Sequence, residues 1–187
     1  STSIWVKIVN IVKLLGASLY GDVYWPNGLN FTASIFYSVF GRSLLSARLS
    51  LLPYLFILLF STYLIGRLIY SGLTGLLATF ILFMYPVIFA SSRQFQLDFP
   101  LTAMVALSIL LLLKCNNFKD RKYSFFFGLS LGWTMLIKGQ AIIFVIWPLL
   151  FVLYKLFRNP LREILKEGQL QNIAIFIAVS GLIASIW

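Results

Sequence analysis

The chain has 187 residues, of which 60% are hydrophobic and 11% charged, with a mean hydropathy of +0.94. Soluble globular chains are about a quarter charged, so this balance excludes a soluble domain and indicates an integral membrane protein. The net charge of +10 comes from basic residues spread over loops between apolar runs, which points to topology and lipid headgroups and away from nucleic acid. A single cysteine, Cys115, rules out an internal disulfide, and the lack of His removes a His/Cys metal site.

In chain order, Ile4, Ile8, Ile11 and Leu15 fall on one helical face with Lys7, Asn10 and Lys13 opposite, the pattern of an amphipathic helix lying on a membrane. A turn-rich loop follows, Gly21-Asp22-Val23-Tyr24-Trp25-Pro26-Asn27-Gly28, with aromatics suited to the interface. Residues 27–40 are apolar but too short to span, and they carry Asn30, Thr32, Ser34 and Ser38; an interfacial or re-entrant helix fits them. Six longer runs then predict spanning helices over 44–66, 73–90, 99–113, 123–137, 141–154 and 173–187. Within the fourth, Gly128, Ser130 and Gly132 predict close helix packing. The expected fold is all-α: a polytopic integral membrane bundle of about six transmembrane helices preceded by interfacial helices. Residues 1–187 read as part of one domain, with 1–41 juxtamembrane and 42–187 transmembrane. Without a starting Met and ending inside an apolar run, the chain reads as an internal fragment of a longer protein, truncated at both ends.

Alternating the six spans gathers Arg67, Lys114, Lys119, Arg121, Lys122, Lys155, Arg158, Arg162 and Lys166 on one side, which the positive-inside rule makes cytoplasmic. The stretch 155–167 reads as a basic connector lying on anionic lipid, and Cys115 as an inert thiol in a cytoplasmic-side loop. The outer side receives the Asp22 loop, Arg42, Arg48, Lys138-Gly139 and the polar break Ser91-Ser92-Arg93-Gln94-Phe95-Gln96-Leu97-Asp98. Charges at the edge of a membrane core are expensive, so a chain that keeps them there usually uses them. Arg93 and Asp98 read either as an interfacial ion pair marking a helix boundary or as one wall of a site. Lys138 reads as a snorkelling helix-end lysine or as a second cation, and Asp22 as a turn residue or a site residue. Anionic groups favour such a place, because Arg93 and Lys138 offer charge-assisted hydrogen bonds in a low dielectric.

Several stretches, in order, resemble membrane glycosyltransferases of the GT-C fold. They are Tyr24-Trp25-Pro26-Asn27-Gly28-Leu29, Arg42-Ser43-Leu44-Leu45-Ser46-Ala47-Arg48-Leu49, Ser92-Arg93 with Asp98-Phe99-Pro100-Leu101, and Gly128-Leu129-Ser130-Leu131-Gly132 leading to Leu136-Ile137-Lys138-Gly139. The nearest likeness is to dolichyl-phosphate-mannose–protein mannosyltransferase and lipid A aminoarabinose transferase. The resemblance implies transfer of a sugar from a polyprenyl-phosphate donor to a protein, lipid or glycan acceptor, at the extracytoplasmic face of a bacterial inner membrane. It implies Asp98 as a catalytic residue, with the general base upstream of Ser1. Arg93 and Lys138 would bind the donor phosphate, with Asp22, Tyr24, Trp25 and Asn27 on the acceptor or sugar side. It assigns no cofactor and leaves a divalent metal open. Trp25 is a departure, since aminoarabinose transferases carry a Lys there that contacts the lipid phosphate. A multi-pass transporter or lipid flippase, and a non-enzymatic scaffold subunit, are the competing readings. The first lacks an internal repeat here, and the second has no need of Arg, Asp and Lys converging on one face.

Overall fold

The computed structural model describes residues 28–158 and 168–186, and among these every regular element is an α-helix. The first, α1 (Gly28–Phe40), extends about 20 Å at 1.5 Å per residue, short of a bilayer core of about 30 Å, as an interfacial reading requires. Next come α2 (Leu44–Leu49), capped by the Ser43 hydroxyl accepting from the Ser46 N–H at 3.1 Å, and α3 (Leu52–Ile69), with a proline in its first turn. Together Leu44–Ile69 is the one stretch among the described residues long and apolar enough to cross a membrane. The chain continues through α4 (Gly72–Met84), α5 (Pro86–Ser91), α6 (Asp98–Lys114), α7 (Arg121–Ile137), α8 (Ala141–Phe157) and α9 (Gln169–Ala184). The all-α class holds, while α4, α8 and α9 are apolar but shorter than the roughly 20 residues that cross a bilayer unaided. The run 73–90, expected as one helix, is two: Pro86 cannot donate into a continuing helix and pushes Tyr85 to extended backbone (φ −69°, ψ 121°). The amphipathic pattern at Ile4–Leu15 and most of the connector 155–167 lie outside the described residues.

Packing depends on small residues and hydroxyls, as it must where lipid leaves no hydrophobic drive between helices. Antiparallel α6 and α7 are joined by buried hydroxyls: Ser108 Oγ lies 2.9 Å from Ser130 Oγ and 3.4 Å from Thr134 Oγ1. On one flank α3 lays Tyr54 and Leu58 against Phe99, Leu101 and Met104, and α4 crosses α3 where Gly66 meets Gly75. On the other flank α9 runs parallel to α7, touching it at Gly128 and Gly132. Phe56, Phe60, Phe80, Trp147 and Phe151 remain exposed on the outside of these helices.

The α6–α7 connection contains one left-handed turn, with φ of 46°, 56° and 62° at Asn116, Asn117 and Phe118. Asn tolerates this region, but Phe does not, at roughly 1–2 kcal/mol per residue. Burial compensates: Phe118 is fully enclosed against Phe127 and Phe176, and Asn172 Nδ2 donates to the Phe118 and Lys119 carbonyls at 2.8 and 3.3 Å. Beside it, burial pushes the Cys115 thiol up to about 12, with Asp120 adding to the shift and a Ser124 hydrogen bond opposing it. The thiol is protonated and enclosed, hence inert.

Candidate functional site

Helix polarity sorts the charges. Alternating directions bring Arg67, Lys114, Lys119, Arg121, Lys122, Lys155 and Arg158 to one end of the bundle, with Asp120. The other end holds Arg42, Arg48, Arg93, Asp98 and Lys138.

At that second end Lys138 Nζ donates to Asp98 Oδ1 at 2.7 Å. The local sequence explains the meeting. Asp98 occupies the first turn of α6, where the helix dipole favours an anion, and Pro100 is tolerated there because the first-turn N–H groups have no intrahelical partner. Lys138 caps the C-terminus of α7, where the dipole favours a cation. Because α6 and α7 are antiparallel, these two ends are adjacent. Asp98 is 74% exposed and Lys138 21%, so the bridge contributes no more than about 1 kcal/mol to stability. Stability alone gives little reason to keep it. Among the described residues Asp98 Oδ2 has no partner, and its exposure leaves that oxygen open to a ligand.

The expected Arg93–Asp98 pair does not form. Arg93 turns back over the Phe89 ring, 3.9 Å from its centroid, while Asp98 bonds Lys138, 40 positions along the chain. A cation over an aromatic face retains its attraction at modest desolvation cost, and the Gln94–Leu97 loop keeps the guanidinium exposed. Asp22, Tyr24, Trp25 and Asn27 lie outside the described residues. Among those described, no three His, Cys, Asp or Glu side chains gather to hold a metal ion.

An apolar groove of about 560 Å³ lies between α6, α7 and α9. Met104, Leu107, Trp133, Leu136 and Ile183 line it. Its one hydroxyl, that of Ser130, is already bonded to Ser108. On α7 the lining reaches Leu136, two residues before Lys138, and on α6 it reaches Met104, six residues after Asp98. A charged pair at the helix ends and an apolar groove along the same helices suit an amphiphile.

Residues 26–187 match the family model of dolichyl-phosphate-mannose-protein mannosyltransferase. The chain belongs to this mannosyltransferase family. That makes it a membrane glycosyltransferase, one whose family implies a lipid-linked sugar donor and a glycan or protein acceptor in general terms. No curated protein and no solved structure matches the chain.

In this mannosyltransferase-family chain three residues of α1 dock on the end of α7, next to Lys138 in sequence, and the sequence reading gave none of them a role in the site. Gly28 opens α1 against the end of α7: a Cβ there would lie 2.9 Å from the Leu136 carbonyl oxygen and 3.1 Å from the Ile137 nitrogen. Phe31 packs edge-on to Trp133 with ring centroids 5.6 Å apart. Thr32 Oγ1 meets Tyr54 Oη at 2.7 Å, and Trp133 Nε1 donates to the same Oη at 3.4 Å. A Tyr and a Trp inside otherwise aliphatic and Phe-rich runs were the available signal, since a buried phenol or indole needs a polar partner.

Proposed function

We propose that this chain carries the donor-phosphate wall of a transferase that moves a sugar from a polyprenyl-phosphate donor to an acceptor at the extracytoplasmic face of a bacterial inner membrane. The reading rests on one observation, the Asp98–Lys138 pair joining the ends of α6 and α7, the two helices that together with α9 also wall an apolar groove. A polyprenyl phosphate has one anionic head and a long apolar tail, and both halves find a complement there.

Lys138 neutralises the phosphate, and its hydrogen bond to Asp98 Oδ1 fixes the ammonium's direction while Oδ2 receives a sugar hydroxyl. Arg93 supplies a second cation once it leaves the Phe89 ring. Asp22, Tyr24, Trp25 and Asn27 serve the acceptor or sugar side. The acceptor oxygen gives its proton to a carboxylate upstream of Ser1 and bonds to the anomeric carbon. The bond from that carbon to the phosphate oxygen breaks, and its electron pair leaves with polyprenyl phosphate, an anion that the cation stabilises. The short helices α4 to α9 make up the remaining spans, with the Arg/Lys-rich end cytoplasmic by the positive-inside rule.

The face is tested by single cysteines in the full-length protein, with buried Cys115 as a silent background. A membrane-impermeant maleimide is expected to label position 94 from outside the cell and position 119 only after the membrane is opened. The reverse pattern overturns the reading. The chemistry is tested in liposomes with a radiolabelled polyprenyl-phosphate sugar: label leaving the lipid-phosphate fraction for an added acceptor supports it, and label retained with every acceptor class removes it.

A further inference from the structure

Three helices converge on one hydroxyl next to the donor site. Tyr54 of α3 is 3% exposed, and its Oη takes part in a directed chain of hydrogen bonds. The Thr32 O–H donates to the Gly28 carbonyl at 3.1 Å, which leaves Oγ1 to accept from Tyr54 at 2.7 Å, while Tyr54 Oη accepts from Trp133 Nε1 at 3.4 Å. The chain therefore runs Trp133, Tyr54, Thr32, Gly28, with each donor used once. It ends at the residue whose backbone lies against Leu136 and Ile137, immediately before Lys138.

Leu29, in the same first turn, is buried in one core with Tyr54 and Ile137, and Ala33 and Ser34 are buried too, whereas Ile35, Val39 and Phe40 are exposed. Gly28, Leu29, Phe31 and Thr32 thus set how the first turn of α1 meets the end of α7. Trp133 takes part twice, since its indole also lines the apolar groove.

We propose that Tyr54 is a positioning residue for sugar transfer: its hydroxyl fixes the first turn of α1 against the end of α7, and so the placement of Lys138 in the Asp98–Lys138 pair. The inference rests on reading that pair as the donor-phosphate site. It goes further in assigning a role in geometry to a phenol that touches neither donor nor acceptor. Misplacement by about 1 Å from a remote change is enough to cost roughly a hundredfold in rate.

The test uses the full-length protein in liposomes, with Tyr54→Phe, Thr32→Val, the double variant and Thr32→Ser. Tyr54→Phe and Thr32→Val are each expected to lower kcat by about ten- to a hundredfold, with the donor KM within about twofold of wild type, because the groove and Lys138 are untouched. The double variant is expected to be no worse than either single one, and Thr32→Ser, which keeps the hydroxyl, to stay within about twofold of wild type. Unchanged kcat with a shared loss of thermal stability makes the chain a packing device and overturns the proposal. A rise in donor KM at constant kcat also overturns it. If Tyr54→Phe does not fold, the comparison of Thr32→Val with Thr32→Ser decides alone. An inactive wild type is a separate outcome: it removes the donor reading itself, and this inference with it.

Discussion

Asp98→Asn in the full-length protein is expected to reduce sugar transfer by at least about a hundredfold while leaving membrane insertion and thermal stability close to wild type. Loss of a preorganised charged contact at a reacting centre costs about 10²–10³ in rate, whereas an exposed ion pair contributes at most about 1 kcal/mol to folding. Lys138→Met is expected to behave alike, because each partner acts through the other across 2.7 Å. The double variant should then be little worse than either single one. The charge swap Asp98→Lys with Lys138→Asp separates the roles most sharply. It restores an ion pair between α6 and α7, but it sets each charge against the unfavourable end of its helix dipole and moves the cation from α7 to α6. Transfer surviving in the swap would mean that the pair serves only as a clasp, and the site would have to be sought elsewhere.

The second large effect is expected between α7 and α9. A Cβ at Gly128 would stand 2.8 Å from the Phe176 carbonyl oxygen and 3.2 Å from its Cα, and one at Gly132 would stand 2.8 Å from Ile183 Cβ. Backbone cannot swing aside as a flexible side chain does, so Gly128→Val must push α9 off α7. Overpacking of this kind costs about 1–3 kcal/mol, roughly 2–12 °C in melting temperature for a chain of this size. Gly181, in the same α9, has nothing within 4 Å of its Cβ position. Gly181→Val is therefore expected to melt near wild type, and equal losses at 128 and 181 would show that the α7–α9 contact is not the sensitive one. Since Ile183 forms part of the groove wall, Gly128→Val should also weaken retention of the lipid donor.

Much of this arrangement was legible in the chain, and the misses have two causes. Helix order, the sorting of Lys and Arg to one end, and the small-residue stripe at Gly128–Gly132 follow from local composition, so they could be read residue by residue. The break at Tyr85 was also local, in an X-Pro step, but averaging hydropathy over 73–90 concealed it. The partner of Asp98 was not local. Arg93 was nearest in sequence, yet the antiparallel ends of α6 and α7 make Lys138 nearest in space. Tyr54 and Trp133, 79 positions apart, likewise meet only because α3 and α7 both pack around α6. The site residues before Gly28 rest on the resemblance alone.

The left-handed turn at Asn116–Phe118 bears on how the chain is made. The α6–α7 hairpin is synthesised well before Asn172 and Phe176, the groups that compensate the Phe118 backbone, and Asn172 lies 54 residues further on. Until α9 arrives, the hairpin tip carries an unfavourable φ, and the Phe118 and Lys119 carbonyls lack their amide donor. If helices pack as they are made, the third wall of the apolar groove is the last of its three to close, and its closing relieves the tip. A nascent chain stopped short of Gln169 would hold the two charges of the site together above a groove still open to the bilayer.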